Sequence, residues 1–145
     1  MIFGKSKASG EVPMGLAHTL EEITSRYRKR EAIRFENRSY TYQELDEEAN
    51  RVAGGLASLG IGKGDRVAMM LPNIPEFVFS FFGIQKLGAI AVPFNTMYKG
   101  REISFILRDS GAKAIICLSN FSNLIQEIQM VFEKSRFPEI GRAHV

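Results

Sequence analysis

Three glycine-bearing stretches have the composition of a phosphate cradle, and none has the surroundings that such chemistry needs. Gly4-Lys5-Ser6 ends like a P-loop, but the glycine that should open the loop is missing and no strand precedes it. Gly60-Ile61-Gly62-Lys63-Gly64 spaces its glycines like a dinucleotide turn. That turn must run from strand into helix, so that helix N–H groups face the phosphates, whereas the pattern here runs from helix into strand. Gly88-Ala89-Ile90 likewise stops a helix and starts a strand. His18 and His144 are the only histidines, and neither stands at ligand spacing from Cys, Asp or Glu. The Gly-x-Ser-x-Gly elbow of a hydrolase is absent. Cys117 follows Ala114-Ile115-Ile116 and reads as a small buried hydrophobe. Asp46-Glu47-Glu48 reads as a solvated helix face. Side-chain chemistry alone therefore names no catalytic group and no metal site.

The elements that would position any site are easier to read. At 145 residues and 45% hydrophobic, the chain can build one cored domain. Residues 1–13 form a loose leader. Leu16, Leu20, Ile23 and Tyr27 give a first amphipathic helix. Ile33 and Phe35, a turn at Asn37-Arg38, then Tyr40 and Tyr42 give a β-hairpin. Thr41 and Glu44 fit a capping box for a second helix with a stripe of Leu45, Ala49, Val52, Leu56 and Leu59. Gly60 ends it, and the strand Arg66–Leu71 follows. Asn73 is the expected cap of the next helix, with Pro75 in its first turn. That helix is apolar almost all round, which demands cover on more than one side. The strand Ala89–Pro93, a helix near Gly100–Asp109 stopped by Gly111, the strand Lys113–Leu118 and a last helix through Leu124, Ile128 and Phe132 complete the order. From Thr41 onward this is α-β-α-β-α-β-α, the pattern of an α/β fold with a parallel sheet and flanking helices.

Composition bounds the partners. The formal charge is +3. The densest basic cluster, Arg26, Arg28, Lys29, Arg30 and Arg34, is interleaved with acids and reads as a solvated helix end, so no nucleic-acid partner is expected. One cysteine excludes an internal disulfide and fits a reducing compartment. The first residues hold no secretory signal. The longest apolar run, Phe77–Ile84, is far short of the roughly 20 residues that span a bilayer. A cytoplasmic protein without a transmembrane segment is expected, with peripheral membrane association left open.

Three runs then acquire meaning together. They are Ser39-Tyr40-Thr41-Tyr42-Gln43-Glu44-Leu45; Lys63 through Asn73 with Glu76-Phe77; and Leu87 through Asn95, continuing into Tyr98, Glu102-Ile103 and Asp109-Ser110-Gly111-Ala112-Lys113. In order, spacing and intervening elements the chain resembles the start of the large N-terminal domain of adenylate-forming acyl-CoA synthetases, over roughly residues 15–137. Asn95 and Tyr98 bring it closer to fatty-acid–CoA ligases than to peptide-synthetase adenylation domains. The resemblance implies an AMP-dependent synthetase domain over 14–137, incomplete at its C-terminal side. It implies a parent enzyme that uses ATP and Mg²⁺ to turn a carboxylic acid, by expectation a fatty acid, into an acyl-adenylate and then passes the acyl group to CoA. The family's phosphate loop, ribose-binding Asp and C-terminal lysine have no counterpart here, so the chain by itself is expected to be inactive and to hold none of these cofactors well. By resemblance Phe94, Asn95 and Thr96 lie near the CoA entrance; the plainer reading of Asn95 is a turn cap.

Two further expectations follow. Residues 138–145 lack periodicity, and Glu139–Val145 coincides with one reading frame of a common sequencing-library adapter, so this tail is expected to be foreign. The competing function class is a non-enzymatic flavodoxin-like or receiver-like α/β module. Such modules need acidic residues or a Ser/Thr/Gly-rich loop after an early strand, and Pro72-Asn73 stands there instead.

Overall fold

Helix α2 (Tyr42–Ser58) starts where the sequence says it must. The Thr41 hydroxyl accepts from the Glu44 amide and the Glu44 carboxylate accepts from the Thr41 amide, both at 3.2 Å, the reciprocal bonds of a capping box. The computed structural model describes residues 15–133 and 141–143, so the leader and most of the tail lie outside the described residues. Ahead of α2 come α1 (Leu16–Tyr27) and the antiparallel hairpin β1 (Glu31–Phe35) and β2 (Arg38–Thr41). After it, β3 (Arg66–Met70), α3 (Pro75–Lys86), β4 (Ile90–Pro93), α4 (Gly100–Ser110), β5 (Ala114–Cys117) and α5 (Ser122–Glu133) alternate as expected. A last three-residue strand, β6, spans Gly141–Ala143.

The strands form one parallel sheet in the order β4-β3-β5-β6. Residues 141–143, which fall in the tail expected to be foreign, pair regularly with β5. Ladder bonds use backbone groups that any non-proline residue carries, so this pairing places no demand on which residues occupy the edge.

β3 is the central strand, and its alternation divides the core. Val67 and Met69 join Leu56, Ile61, Ile84 and Ile116 under α2 and α3. Ala68 and Met70 join Ile103, Leu107, Ile115, Ile125 and Ile128 under α4 and α5. At the sheet's N-terminal entry, the Gly64 amide donates to the Gly88 carbonyl at 2.9 Å. Gly88 has φ +68, and a Cβ there would come within 3.3 Å of the Lys63 side chain, so this junction favours glycine on both counts.

Helix α3 receives its second cover from within the chain. None of its residues is exposed. Phe79 packs with Leu20 of α1, Leu45 of α2 and the hairpin, where its ring meets Tyr40 edge-on at 5.0 Å. Gly83 lets α2 approach: a Cβ there would lie 2.7 Å from Val52 and 2.9 Å from the Ala49 carbonyl. Lys86 completes this third layer. Its ammonium, on a side chain only 4% exposed, meets Asp46 at 2.7 Å and Glu21 at 3.2 Å, tying α3 to both α2 and α1.

Several sequence expectations change in detail. Asp46 belongs to that ion cluster and not to a solvated face. The buried positions of α1 are Ala17, Leu20 and Thr24, whereas Leu16 and Tyr27 are exposed. The hairpin turns at Glu36-Asn37, with Glu36 at φ 51, and Arg38 already pairs with Phe35. The N-cap of α3 is Ile74, not Asn73, and no side chain caps it; Pro75 at the first helical position has no N–H to satisfy.

Candidate functional site

In an open parallel α/β sheet, ligands sit beyond the strands' C-terminal ends, so Leu71–Ile74, Phe94–Lys99 and Leu118–Phe121 are the segments to inspect. The middle one has the most built geometry. Phe94 leaves β4 with its amide donating to the Met69 carbonyl at 3.0 Å, which holds it to the sheet. Its ring lies half-buried against the α4–α5 core and stacks on Tyr98, with centroids 6.4 Å apart and planes 8° from parallel. The exposed Asn95 turns the chain: its Oδ1 accepts from the Met97 amide at 2.9 Å, and its carbonyl from the Tyr98 amide at 3.2 Å. Thr96 is half-buried between them.

The turn delivers the chain into α4, whose N-terminus is braced by the Glu102 carboxylate accepting from the Lys99 amide at 3.0 Å. Beside it Tyr98, Arg101, Glu102, Phe105 and Ile106 line an open groove of about 570 Å³. Sequence reasoning marked Phe94, Asn95 and Thr96 but did not find this groove. Its signal lay in the 3–4 spacing that runs from Tyr98, just before α4, to Arg101 and Phe105 on the helix, whose buried positions are Ile103 and Leu107. Of the three residues marked from sequence, Phe94 meets the groove through its stack on Tyr98, while Asn95 and Thr96 are not among the lining residues.

The carboxyls held below the ordinary range lie elsewhere. Lys113, bonded at 2.7 Å, and the Gly62 amide lower Asp65 at the sheet's opposite end, and Arg34 and Ser39 lower Glu31 in the hairpin. Both shifts follow from structural ion pairs and so carry no catalytic implication. Among the described residues no three His, Cys, Asp or Glu side chains converge, so they supply no ligand set for Mg²⁺. The strand-to-helix turns present no glycine-rich loop for ATP phosphates. These residues do not fit either group. Among the described residues, no helix is long and apolar enough to cross a membrane.

The fold is therefore that of an α/β domain with one open, aromatic strand end. Residues 20–141 match the family model described as AMP-binding enzyme, and the chain belongs to that family. It is 54% identical over 76 residues to the long-chain-fatty-acid–CoA ligase FadD13 of Mycobacterium tuberculosis, covering 52% of this chain and 15% of that protein. It is 40% identical over 114 residues to the crotonobetaine/carnitine–CoA ligase of Salmonella typhimurium, covering 75% of this chain and 22% of that one. Among solved structures, the anthranilate CoA ligase AuaEII in complex with anthranoyl-AMP superposes with a TM-score of 0.80 at 32% identity, over 90% of this chain and 25% of that one. The N-terminal domain of FACL13 from Mycobacterium tuberculosis superposes with a TM-score of 0.73 at 32% identity, over 90% of this chain and 33% of that one. The chain thus spans about a fifth of the length of these curated relatives. The parallel sheet with flanking helices matches the N-terminal domain of adenylate-forming enzymes, as the sequence implied, and the flavodoxin-like or receiver-like alternative falls with the family match.

Proposed function

We propose that this chain is the opening part of the large domain of an ATP-dependent fatty-acid–CoA ligase. The enzyme would use ATP and Mg²⁺ to convert a fatty acid to its acyl-adenylate and would then transfer the acyl group to CoA. The observation that carries the reading is the 54% identity to a long-chain-fatty-acid–CoA ligase over 76 residues. The longer but weaker match to a carnitine-type ligase, 40% over 114 residues, supports acyl-CoA ligation with a small polar acid as a second reading.

Within that reading, the Phe94–Thr96 segment borders the CoA entrance. Asn95 is exposed at a strand end, and the Phe94–Tyr98 stack gives the segment a fixed shape against which a thiol-bearing arm could slide. Among the described residues no three metal-ligating side chains converge, and the proposed role of these 145 residues is structural, with neither adenylate nor thioester formed by them alone. The tail 138–145 is proposed to be foreign to the enzyme.

Extending the reading frame tests all of this. The extended product should release pyrophosphate on addition of ATP and a long-chain fatty acid, and should yield acyl-CoA when CoA is supplied, while the 145-residue chain does neither. Turnover of carnitine or crotonobetaine in place of fatty acid would move the assignment to the second reading. A genomic frame that ends naturally at Val145 would overturn the incomplete-enzyme reading.

A further inference from the structure

We propose that the α4 groove is a self-complementary interface, in which a second copy of this chain packs its own α4 antiparallel across a two-fold axis. Helix α4 carries two stripes. Ile103 and Leu107 are buried in the sheet core, whereas Phe105, Tyr98 and Met97 are exposed large hydrophobics. Tyr98, Arg101, Glu102, Phe105 and Ile106 line one open groove, so these side chains share a face. Contiguous apolar surface rimmed by charge marks an interaction site.

The order of residue types along this face selects the partner. A two-fold interface must match itself: what one copy presents before the axis has to fit what it presents after it. Here three pairs straddle one midpoint, the bond between Arg101 and Glu102. Arg101 stands opposite Glu102, Tyr98 opposite Phe105 and Met97 opposite Ile106. Antiparallel packing about that midpoint sets cation against carboxylate, ring against ring and thioether against aliphatic side chain, each twice over.

The groups are available and held in place. Among the described residues Arg101 has no carboxylate within ion-pair distance. Glu102 accepts from the Lys99 amide through Oε2, which fixes the carboxylate on this face and leaves Oε1 for a cation across the axis. The stack on Phe94 holds the Tyr98 ring, so little ordering is lost on association. A ligand of single charge would set one of the two neighbouring charges against its like, and a neutral one would leave both unmatched. A second copy pairs both.

Sedimentation velocity of the 145-residue chain is the test, because it separates a dimer from larger aggregates. The face is small against the roughly 20–30 residues a side of a standard interface, so a reversible dimer with Kd of about 10–100 µM is expected. Phe105→Glu should weaken it by at least about 30-fold. Arg101→Glu and Glu102→Arg should each weaken it about 10-fold, since each sets like charges together on both sides of the axis. Arg101→Glu leaves the Lys99–Glu102 bond intact, so its loss is read free of any change at the helix start. Mixed with each other, these two variants should associate at least as tightly as the unaltered chain, because every charge across the axis then meets its opposite. The double variant Arg101→Glu/Glu102→Arg should recover to within about 3-fold of it. A chain monomeric up to about 1 mM, single variants that self-associate unchanged, or a mixture that fails to recover would each overturn the proposal. Dimerisation of the chain but not of the extended enzyme would also overturn it, since polypeptide beyond Val145 would then cover the groove.

Discussion

The α2–α3 side of the sheet and the α4–α5 side start from similar material and end in different states. On the first side, Leu56, Ile84 and their neighbours cover the sheet, and α1 and the hairpin then cover α3 in turn, so that no α3 residue is exposed. On the second, α4 buries Ile103 and Leu107 against the sheet but turns Phe105, 67% exposed, outward, and Met97 in the preceding turn is 81% exposed. An apolar helix surface facing water is what a domain shows where more polypeptide or a partner belongs. The contrast separates a first side closed in three layers from a second that carries both the open groove and exposed apolar side chains.

Mutations should therefore hurt one side and spare the other. Gly83→Ala should have the largest effect, because its Cβ would press within 2.9 Å of the Ala49 carbonyl, an atom of the backbone that cannot rotate away. A loss of about 3 kcal/mol is expected in denaturant unfolding. A loss under about 0.5 kcal/mol would show that α2 and α3 slide freely and that the first side is not closed.

Lys86→Ala comes next. It leaves Asp46 and Glu21 facing each other without their shared cation. The carboxylates are partly solvated, so about 2 kcal/mol is expected, below the usual 3–5 for a buried pair broken on one side. Lys86→Met, which keeps the packing, should recover part of the loss only if the two acids repel weakly, and thermal unfolding of both variants separates the terms.

Phe105→Glu should have the smallest effect on stability, within about 0.5 kcal/mol, because the ring already stands in water. It should nonetheless reduce binding of a hydrophobic dye and slow aggregation of the isolated chain. A large destabilisation would mean that Phe105 is covered and that the two sides are alike.

What the sequence made legible was local. Thr41 and Glu44 announced the start of α2, Gly111 the end of α4, and the apolar runs the strands of a parallel sheet. Pairings over long separations were not written in any window. Asp46 reads as one of three solvated acids because its partner Lys86 is 40 positions away. The all-round apolar α3 demanded a second cover without naming its source, because nothing local shows the hairpin folding back onto Phe79. Asn73 looked like a cap until Pro75 set the first helical turn and moved the cap to Ile74. The groove beside Tyr98 escaped notice for a related reason. Phe105 fits an ordinary amphipathic stripe, and only the packed helix shows that it faces away from the core.

The position of β3 has a consequence for synthesis on the ribosome. It is translated before both of its sheet neighbours, yet Val67, Ala68, Met69 and Met70 end with no measurable exposure. At about 5–20 residues per second, the pairing segment Ile90–Pro93 follows by roughly one to five seconds and Ala114–Cys117 by about twice that. For that interval a strand that ends fully buried has emerged without a ladder partner. Chaperone capture during translation should therefore centre on Val67–Met70 and fade once Cys117 has cleared the exit tunnel.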